Sequence, residues 1–304
     1  MRDNLSENSP QKTVASGVPE TSVEFFPVNG LVKERALMTA AHALKRFSPD
    51  YLTVTCGAGG DGGRGTLEWA ERLIELTEVP TACHFTLCSF TTQNEVLAAC
   101  DGLWAQGIRH LVLLRGDAAG DDNGLAGFGS VADAVRAIRR RHAFEISVSA
   151  YPEVHPKAQD AARDLDVLAA KQDAGARRAI TQFFFDNADF YRFRDRAEAR
   201  GIRLPLVPGI MPITNFAKIS NFSKGCGARV PDELGKRFAA AGDDKSAQSD
   251  VARAVVEAQV RDLAANDVDA IHVYSMNRVD LTADTLRAFQ ACFDGKTDEV
   301  RLFA

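Results

Sequence analysis

The six cysteines of this chain, Cys56, Cys83, Cys88, Cys100, Cys226 and Cys292, form no CxxC pair and keep no metal-ligand spacing with histidine. Small buried thiols of a reducing compartment are expected, not a disulfide framework, and no metal site. Basic stretches are scarce too. The formal charge is −5, and the one tight basic cluster, Arg139 to Arg141, falls where a helix should end, which argues against nucleic-acid partners. No apolar run approaches the length of a bilayer span, and the N-terminus has no hydrophobic signal core. The expected setting is the cytoplasm, with no membrane partner. Also missing are GxGxxG after the first strand, a GK[ST] phosphate loop, HExxH and a Ser-His-Asp order. Nucleophilic hydrolysis and metal catalysis are therefore unsupported.

What is present is an ordinary globular composition, 45% hydrophobic and 25% charged, over 304 residues, enough to bury a full core. The most informative stretch is His110 to Asp117, HLVLLRGD. A short continuous apolar run suits a strand covered on both faces, as in a parallel sheet. Its end switches abruptly to Arg115, Gly116 and Asp117, a cation and a carboxylate around a glycine that permits close backbone approach.

The pattern around it alternates. Residues 1–20 are polar and without periodicity, a flexible arm. Strands are then expected at Ser22 to Phe26, Tyr51 to Thr55, Thr81 to Thr86, from His110, Glu145 to Ala150, Arg178 to Phe184, Leu204 to Pro208 and Ala270 to Tyr274. Helices separate them, including Pro156 to Ala174, one capped by Asn187, Thr214 to Ser223, and Thr282 to Phe293. Gly57 to Gly65 reads as a flexible rim loop. Eight strands alternating with helices favour an α/β fold, a single (β/α)8 TIM-type barrel over residues 21–304. A doubly wound open sheet is the alternative.

Barrel chemistry gathers at the C-terminal strand ends. Here those ends offer Glu24, Thr55, His84, Arg115 with Asp117, Tyr151 with His155, Gln182, and Tyr274 with Asn277 and Arg278. Any one of them could be polar simply because the chain is surfacing. Glu24 lies inside an apolar strand, where an ionised carboxylate is costly, which suits a general acid. A strand-end carboxylate paired with Arg or Lys is the equal alternative. Asp117 is either a structural partner of Arg115 or a fixed anion near a cationic intermediate. His84 suits a core histidine as well as a site residue. Two prolines pin His155 in YPEVHP, as in a ligand-positioning loop. Gln182, beside three phenylalanines, suits a planar heterocycle or local backbone satisfaction. Phe222 reads as core packing or a mobile aromatic lid.

The segments VEFFP, VTCGA, HFT, GIRHLVLLRGD, SVSAYPEVHP, DAGARRAITQFFFD, VPGIMPITNF and YSMNR, in order from Ser22 to Arg278, resemble the single-domain bacterial form of the methylenetetrahydrofolate reductase family. The resemblance implies a barrel carrying FAD that reduces 5,10-methylenetetrahydrofolate to 5-methyltetrahydrofolate with electrons from NADH or NADPH, by a ping-pong cycle. It implies that Glu24 is the general acid and Asp117 the aspartate that stabilises cationic folate. Gln182 would bind the pterin, Phe222 would pack on folate or nicotinamide, and Arg278 would meet substrate. FAD contacts would come from Thr55, His84, Arg115, Gly116, Asp117, Tyr151, His155, Asp164 and Lys171. A homo-oligomer is expected on the same ground. Cys56, Cys83 and Val167 depart from the family's usual Tyr, Pro and Asn. A flavin-free member transferring hydride directly, or a pterin-binding methyltransferase barrel, are the alternatives.

Overall fold

A computed structural model of the chain describes residues 18–56, 64–117 and 124–294. Eight parallel strands close into a barrel in sequence order, β1 (Glu20–Phe25), β2 (Tyr51–Val54), β3 (Thr81–Thr86), β4 (His110–Leu114), β5 (Glu145–Ala150), β6 (Arg178–Phe183), β7 (Leu206–Ile210) and β8 (Ala270–Tyr274). Strand β8 closes the barrel on β1 with Ser22 opposite His272 and Glu24 opposite Tyr274. Most of the expected 1–20 arm and of the 57–65 rim loop lie outside the described residues; Glu20 belongs to β1.

Helices α1 (Leu31–Lys45), α2 (Arg64–Thr77), α3 (Gln93–Ala105), α4 (Val131–Arg141), α5 (Ala161–Asp173) and α6 (Asn187–Ala199) follow the first six strands. Three more, α7 (Phe216–Cys226), α8 (Asp232–Ala240) and α9 (Lys245–Ala265), follow β7, and α10 (Asp280–Gln290) follows β8. Among the described residues no helix is long and apolar enough to cross a membrane.

Burial follows the pleat. Outward residues such as Val23, Phe25, Leu111, Leu113, Val148 and Val273 are buried against the helices in the main core. The barrel interior holds a smaller apolar plug of Tyr51, Ala82, Val112, Ile180 and Val207. A third cluster, with Met211, Ile213, Ile219, Leu234 and Phe238, packs α7 and α8 next to Phe183. That cluster fixes α7 over the C-terminal end of the barrel.

Several boundaries differ from the expected ones for local reasons. Strand β7 lies two residues later than Leu204 to Pro208, running through Pro208 even though proline cannot donate to a ladder. The ladder to β6 is irregular there, and Thr181 Oγ1 accepts the Gly209 N–H at 2.9 Å in its place. Helix α5 begins only at Ala161, because Asp160 caps it through the Arg163 N–H and the preceding residues form the Pro-bounded loop. Asp186, not Asn187, caps α6. The Asn187 amide instead donates to Gln259 O at 2.9 Å and Asp262 at 2.7 Å, tying α6 to α9. Helix α7 starts after its Asn215 cap and continues to Gly227, whose left-handed φ of 72° ends it.

Candidate active site

At the C-terminal end of the barrel, period-two alternation turns Glu24 inward from β1, His84 from β3, and His272 and Tyr274 from β8. Glu24 Oε2 lies 3.3 Å from His84 Nε2 and 3.6 Å from His272 Nε2. Among the described residues no Arg or Lys pairs with Glu24. Burial pulls the His84 imidazole below its ordinary pKa, although the Glu24 carboxylate opposes the shift. His84 Nε2 is buried without an aligned hydrogen-bond partner. Burial, with the Glu24 carboxylate adding to it, pushes the Tyr274 phenol well above its usual range. Tyr274 is therefore a hydrogen-bond donor at neutral pH, and its Oη donates to Thr181 O at 2.7 Å.

The turn after β4 is built around Gly116. Its φ is +84°, and a Cβ there would stand 2.2 Å from Thr86 Cγ2 and 2.4 Å from Cys88 Sγ. Cys88 N–H donates to Arg115 O at 2.9 Å, so β3 and β4 cross closely at this point. The close approach expected for this glycine is what the geometry contains. Asp117 is exposed, and among the described residues no ion pair joins it to Arg115. Its carboxylate adds to the effect of burial in raising the Tyr151 phenol and the Cys226 thiol, which puts Asp117 in the same electrostatic environment as both.

A cavity of about 550 Å³ opens between β4, β5 and α5. Arg115, Tyr151, His155, Asp164 and Lys171 all line it, five of the positions expected to meet a cofactor. Lys171 is buried, donates from Nζ to Ser149 O at 2.9 Å, and has its pKa pushed down to about 8 by burial, with Asp164 resisting. Asp164 Oδ2 accepts the His155 N–H at 3.0 Å, and the His155 ring stands edge-on to Tyr151 at 4.4 Å. The YPEVHP loop is thus pinned from both sides. Exposed Val167, one of the departures from the family's usual residues, lines the same cavity.

Phe222 on α7 is 53% exposed and stacks on Phe183 at 5.8 Å, with an interplanar angle of 19°. Core packing, one of its two expected roles, is taken instead by Ile219 and by Phe216, which stacks on Phe238. Gln182 accepts the Phe183 N–H through Oε1 at 3.0 Å, so part of its amide serves local backbone. Thr55, at the end of β2, receives the Thr66 hydroxyl on its carbonyl. Arg278 is exposed on the turn after β8, where the Asn277 side chain accepts the Phe26 N–H through Oδ1 at 3.0 Å and donates from Nδ2 to Phe26 O at 2.9 Å. Of the expected positions, Glu24, Thr55, His84, Gly116, Asp117, Gln182, Phe222 and Arg278 do not line the 550 Å³ cavity.

Two interior residues went unnoticed in the sequence, His272 and Ser22, which are joined by a 2.8 Å contact between Nδ1 and Oγ. The signal was available: counting back by two from Tyr274 along β8 reaches His272.

The methylenetetrahydrofolate reductase family model matches residues 10–290. A 5,10-methylenetetrahydrofolate reductase of Pectobacterium carotovorum subsp. carotovorum is 36% identical over 261 residues, covering 86% of this chain and 87% of that protein. The protein of that name from Escherichia coli K12 is 34% identical over 281 residues, covering 92% and 93%. Among solved structures, an uncharacterized Clostridium thermocellum protein that binds two copies of 5-methyl-5,6,7,8-tetrahydrofolic acid superposes with a TM-score of 0.65. At 14% identity, covering 93% of this chain and 98% of that one, it is a likeness of fold.

Proposed function

The chain belongs to the methylenetetrahydrofolate reductase family, an oxidoreductase family, and on that premise we propose that it uses bound FAD and NADH or NADPH in a ping-pong cycle. Its product, 5-methyltetrahydrofolate, would supply methyl groups for methionine synthesis in the cytoplasm. The observation that carries this proposal is Glu24, a carboxylate inside the barrel mouth whose only ion partners among the described residues are two histidines. A carboxylate held for structure is ordinarily matched by Arg or Lys, and Glu24 meets neither among the described residues.

The residues of the cavity suit a dinucleotide. Arg115 and Lys171 offer cations for a diphosphate, and Asp164 offers a carboxylate for sugar hydroxyls. FAD, when bound, would accept hydride from the nicotinamide and return it to the folate. The remaining work falls to side chains. Glu24 would donate its proton to N10 as the methylene bridge opens, leaving the cationic iminium that accepts hydride. Asp117 would stabilise that cation as a fixed anion. Gln182 would hydrogen-bond the pterin with the part of its amide not used by Phe183. Phe222, stacked on Phe183, would form one wall for nicotinamide and pterin in turn, and Arg278 would meet the substrate at the rim. Glu24 gives up one proton per turnover and recovers one from solvent, so it acts catalytically.

The visible absorption spectrum of the purified protein, before and after anaerobic NADH or NADPH, tests the cofactor assignment. A flavin band that bleaches with the nucleotide is the expected result. A colourless protein that takes up no added FAD, yet still oxidises NADH in the presence of the folate, would replace the flavin cycle with direct hydride transfer.

A further inference from the structure

His272 has no role in the chemistry above, yet it is built into the site. It is 1% exposed, and Ser22 Oγ holds its Nδ1 at 2.8 Å. Its ring stands edge-on to Tyr274 at 5.1 Å. Those two contacts fix the imidazole plane and turn Nε2 toward Glu24. Both Nε2 atoms, of His272 at 3.6 Å and of His84 at 3.3 Å, approach Oε2 of that carboxylate.

We propose that His272, anchored by Ser22, is a positioning residue for Glu24, which together with His84 engages Oε2 and leaves Oε1 to carry the acidic proton to the substrate. The inference rests on the acid role given to Glu24 above.

The chemistry is that of a histidine whose far nitrogen is set by a second partner. In the tautomer in which the Ser22 hydroxyl donates to Nδ1, the ring hydrogen sits on Nε2, directed at the carboxylate. Other partners of the hydroxyl are Ile271 O at 3.4 Å, a longer and weaker contact, and the Tyr51 phenol, whose pKa the Ser22 hydroxyl lowers against the larger effect of burial. At 3.6 Å the His272 to Glu24 separation is too long for a hydrogen bond in the free chain. Catalytic hydrogen bonds of this kind commonly tighten when ligand closes the site. A buried carboxyl with one oxygen engaged and the other free has one direction in which to donate.

The ionisable groups around His272 are His84 from β3, His110 from β4, Tyr51 from β2 and Tyr274 from its own strand. Burial holds His84 and His110 toward their neutral forms and pushes Tyr51 up to about 12 and Tyr274 well above its ordinary value. Arg178 from β6 lies over the Tyr51 ring at 5.0 Å, but it is already paired with Glu20 and Glu145. None of these supplies a permanent cation to Glu24.

The test uses the holoenzyme and measures its two half-reactions separately. His272→Asn keeps a polar group near Ser22 and loses the one facing Glu24; His272→Gln places an amide N–H near the Nε2 position. Expected for His272→Asn is a loss of roughly tenfold or more in the folate half-reaction, with a shifted pH profile. Folate affinity and flavin reduction by nicotinamide should stay nearly unchanged. His272→Gln should recover most of the lost rate. The infrared band of the Glu24 side chain, identified by its disappearance in Glu24→Gln, should shift in His272→Asn and return toward its original position in His272→Gln. An unchanged folate step, pH profile and carboxyl band in His272→Asn would overturn the proposal. Equal loss of both half-reactions in both variants would also overturn it, leaving His272 a packing residue. Should His272→Asn fail to fold, Ser22→Ala takes its place: a smaller loss in the folate step supports the proposal, and no change refutes it. Glu24→Gln separates the two levels. A folate step that survives in Glu24→Gln removes the acid role itself. Loss in Glu24→Gln with none in His272→Asn removes only the positioning role.

Discussion

Tyr274 reaches the carbonyl of Thr181 across β7 with a 2.7 Å hydrogen bond, and the residue it crosses is Gly209. A Cβ at position 209 would stand 2.3 Å from Thr181 O and 2.6 Å from Tyr274 Cε2. The glycine serves space here, because β7 must pass under a phenol that shares the interior face of β8 with His272. Gly209→Ala should push Tyr274 off Thr181 and destabilise the chain by about 1–3 kcal/mol, the usual cost of overpacking a tight site. Urea denaturation of the variant checks this. Tyr274→Phe keeps the space and loses only the hydrogen bond, so it should cost about 1 kcal/mol. Equal stability of Gly209→Ala and the parent chain would mean that β7 can move aside.

Lys171 should imprint a specific pH dependence on stability. Its pKa is about 8 in the folded chain against an ordinary 10.5. Between those values the unfolded chain holds one proton more than the folded chain at this site, so stability rises with pH across that window. The contribution is lowest below pH 8, where a charged amine must stay buried. Lys171→Met removes the titration. The difference in unfolding free energy between parent and variant should therefore grow in the parent's favour from pH 8 toward 10.5. A difference that stays flat would show that Lys171 keeps its ordinary proton affinity when folded.

Phe222 separates binding from stability. Its ring is 53% exposed, and its contact with Phe183 is made on one face. Phe222→Ala should shift stability by no more than about 0.5 kcal/mol, as for most surface sites. It should nevertheless raise KM for folate or for nicotinamide, because the wall on which they stack is gone. A large loss of stability with unchanged KM would return Phe222 to the core.

The barrel was legible because its outward faces are nearly continuous apolar runs and its strands end in polar residues. Strand β8 was delimited to the residue, and the expected cofactor positions Arg115, Tyr151, His155, Asp164 and Lys171 do meet around one cavity. Other features depend on pairings that are distant in sequence. Ser22 and His272 lie 250 positions apart, and each alone is an unremarkable strand residue. Asp186 and Asn187 are both good caps, and only the pull of α9 on the Asn187 amide decides between them. Pro208 argued for an early end to β7, but the Thr181 hydroxyl accepts the next N–H and lets the strand continue. Phe222 could not be separated from Phe216 and Ile219 until the helix phase showed which of the three faces solvent.

The acid role of Glu24 is the centre of this account, and Glu24→Gln tests it most directly. The amide keeps the shape of the side chain and removes the proton it would donate. Reduction of the flavin by nicotinamide, followed anaerobically, should proceed within a small factor of the parent rate. Re-oxidation of that flavin by 5,10-methylenetetrahydrofolate should fall by about a hundredfold or more, the ordinary scale of general-acid catalysis. If the folate step survives in the variant, or if both steps are lost together, Glu24 is not the acid.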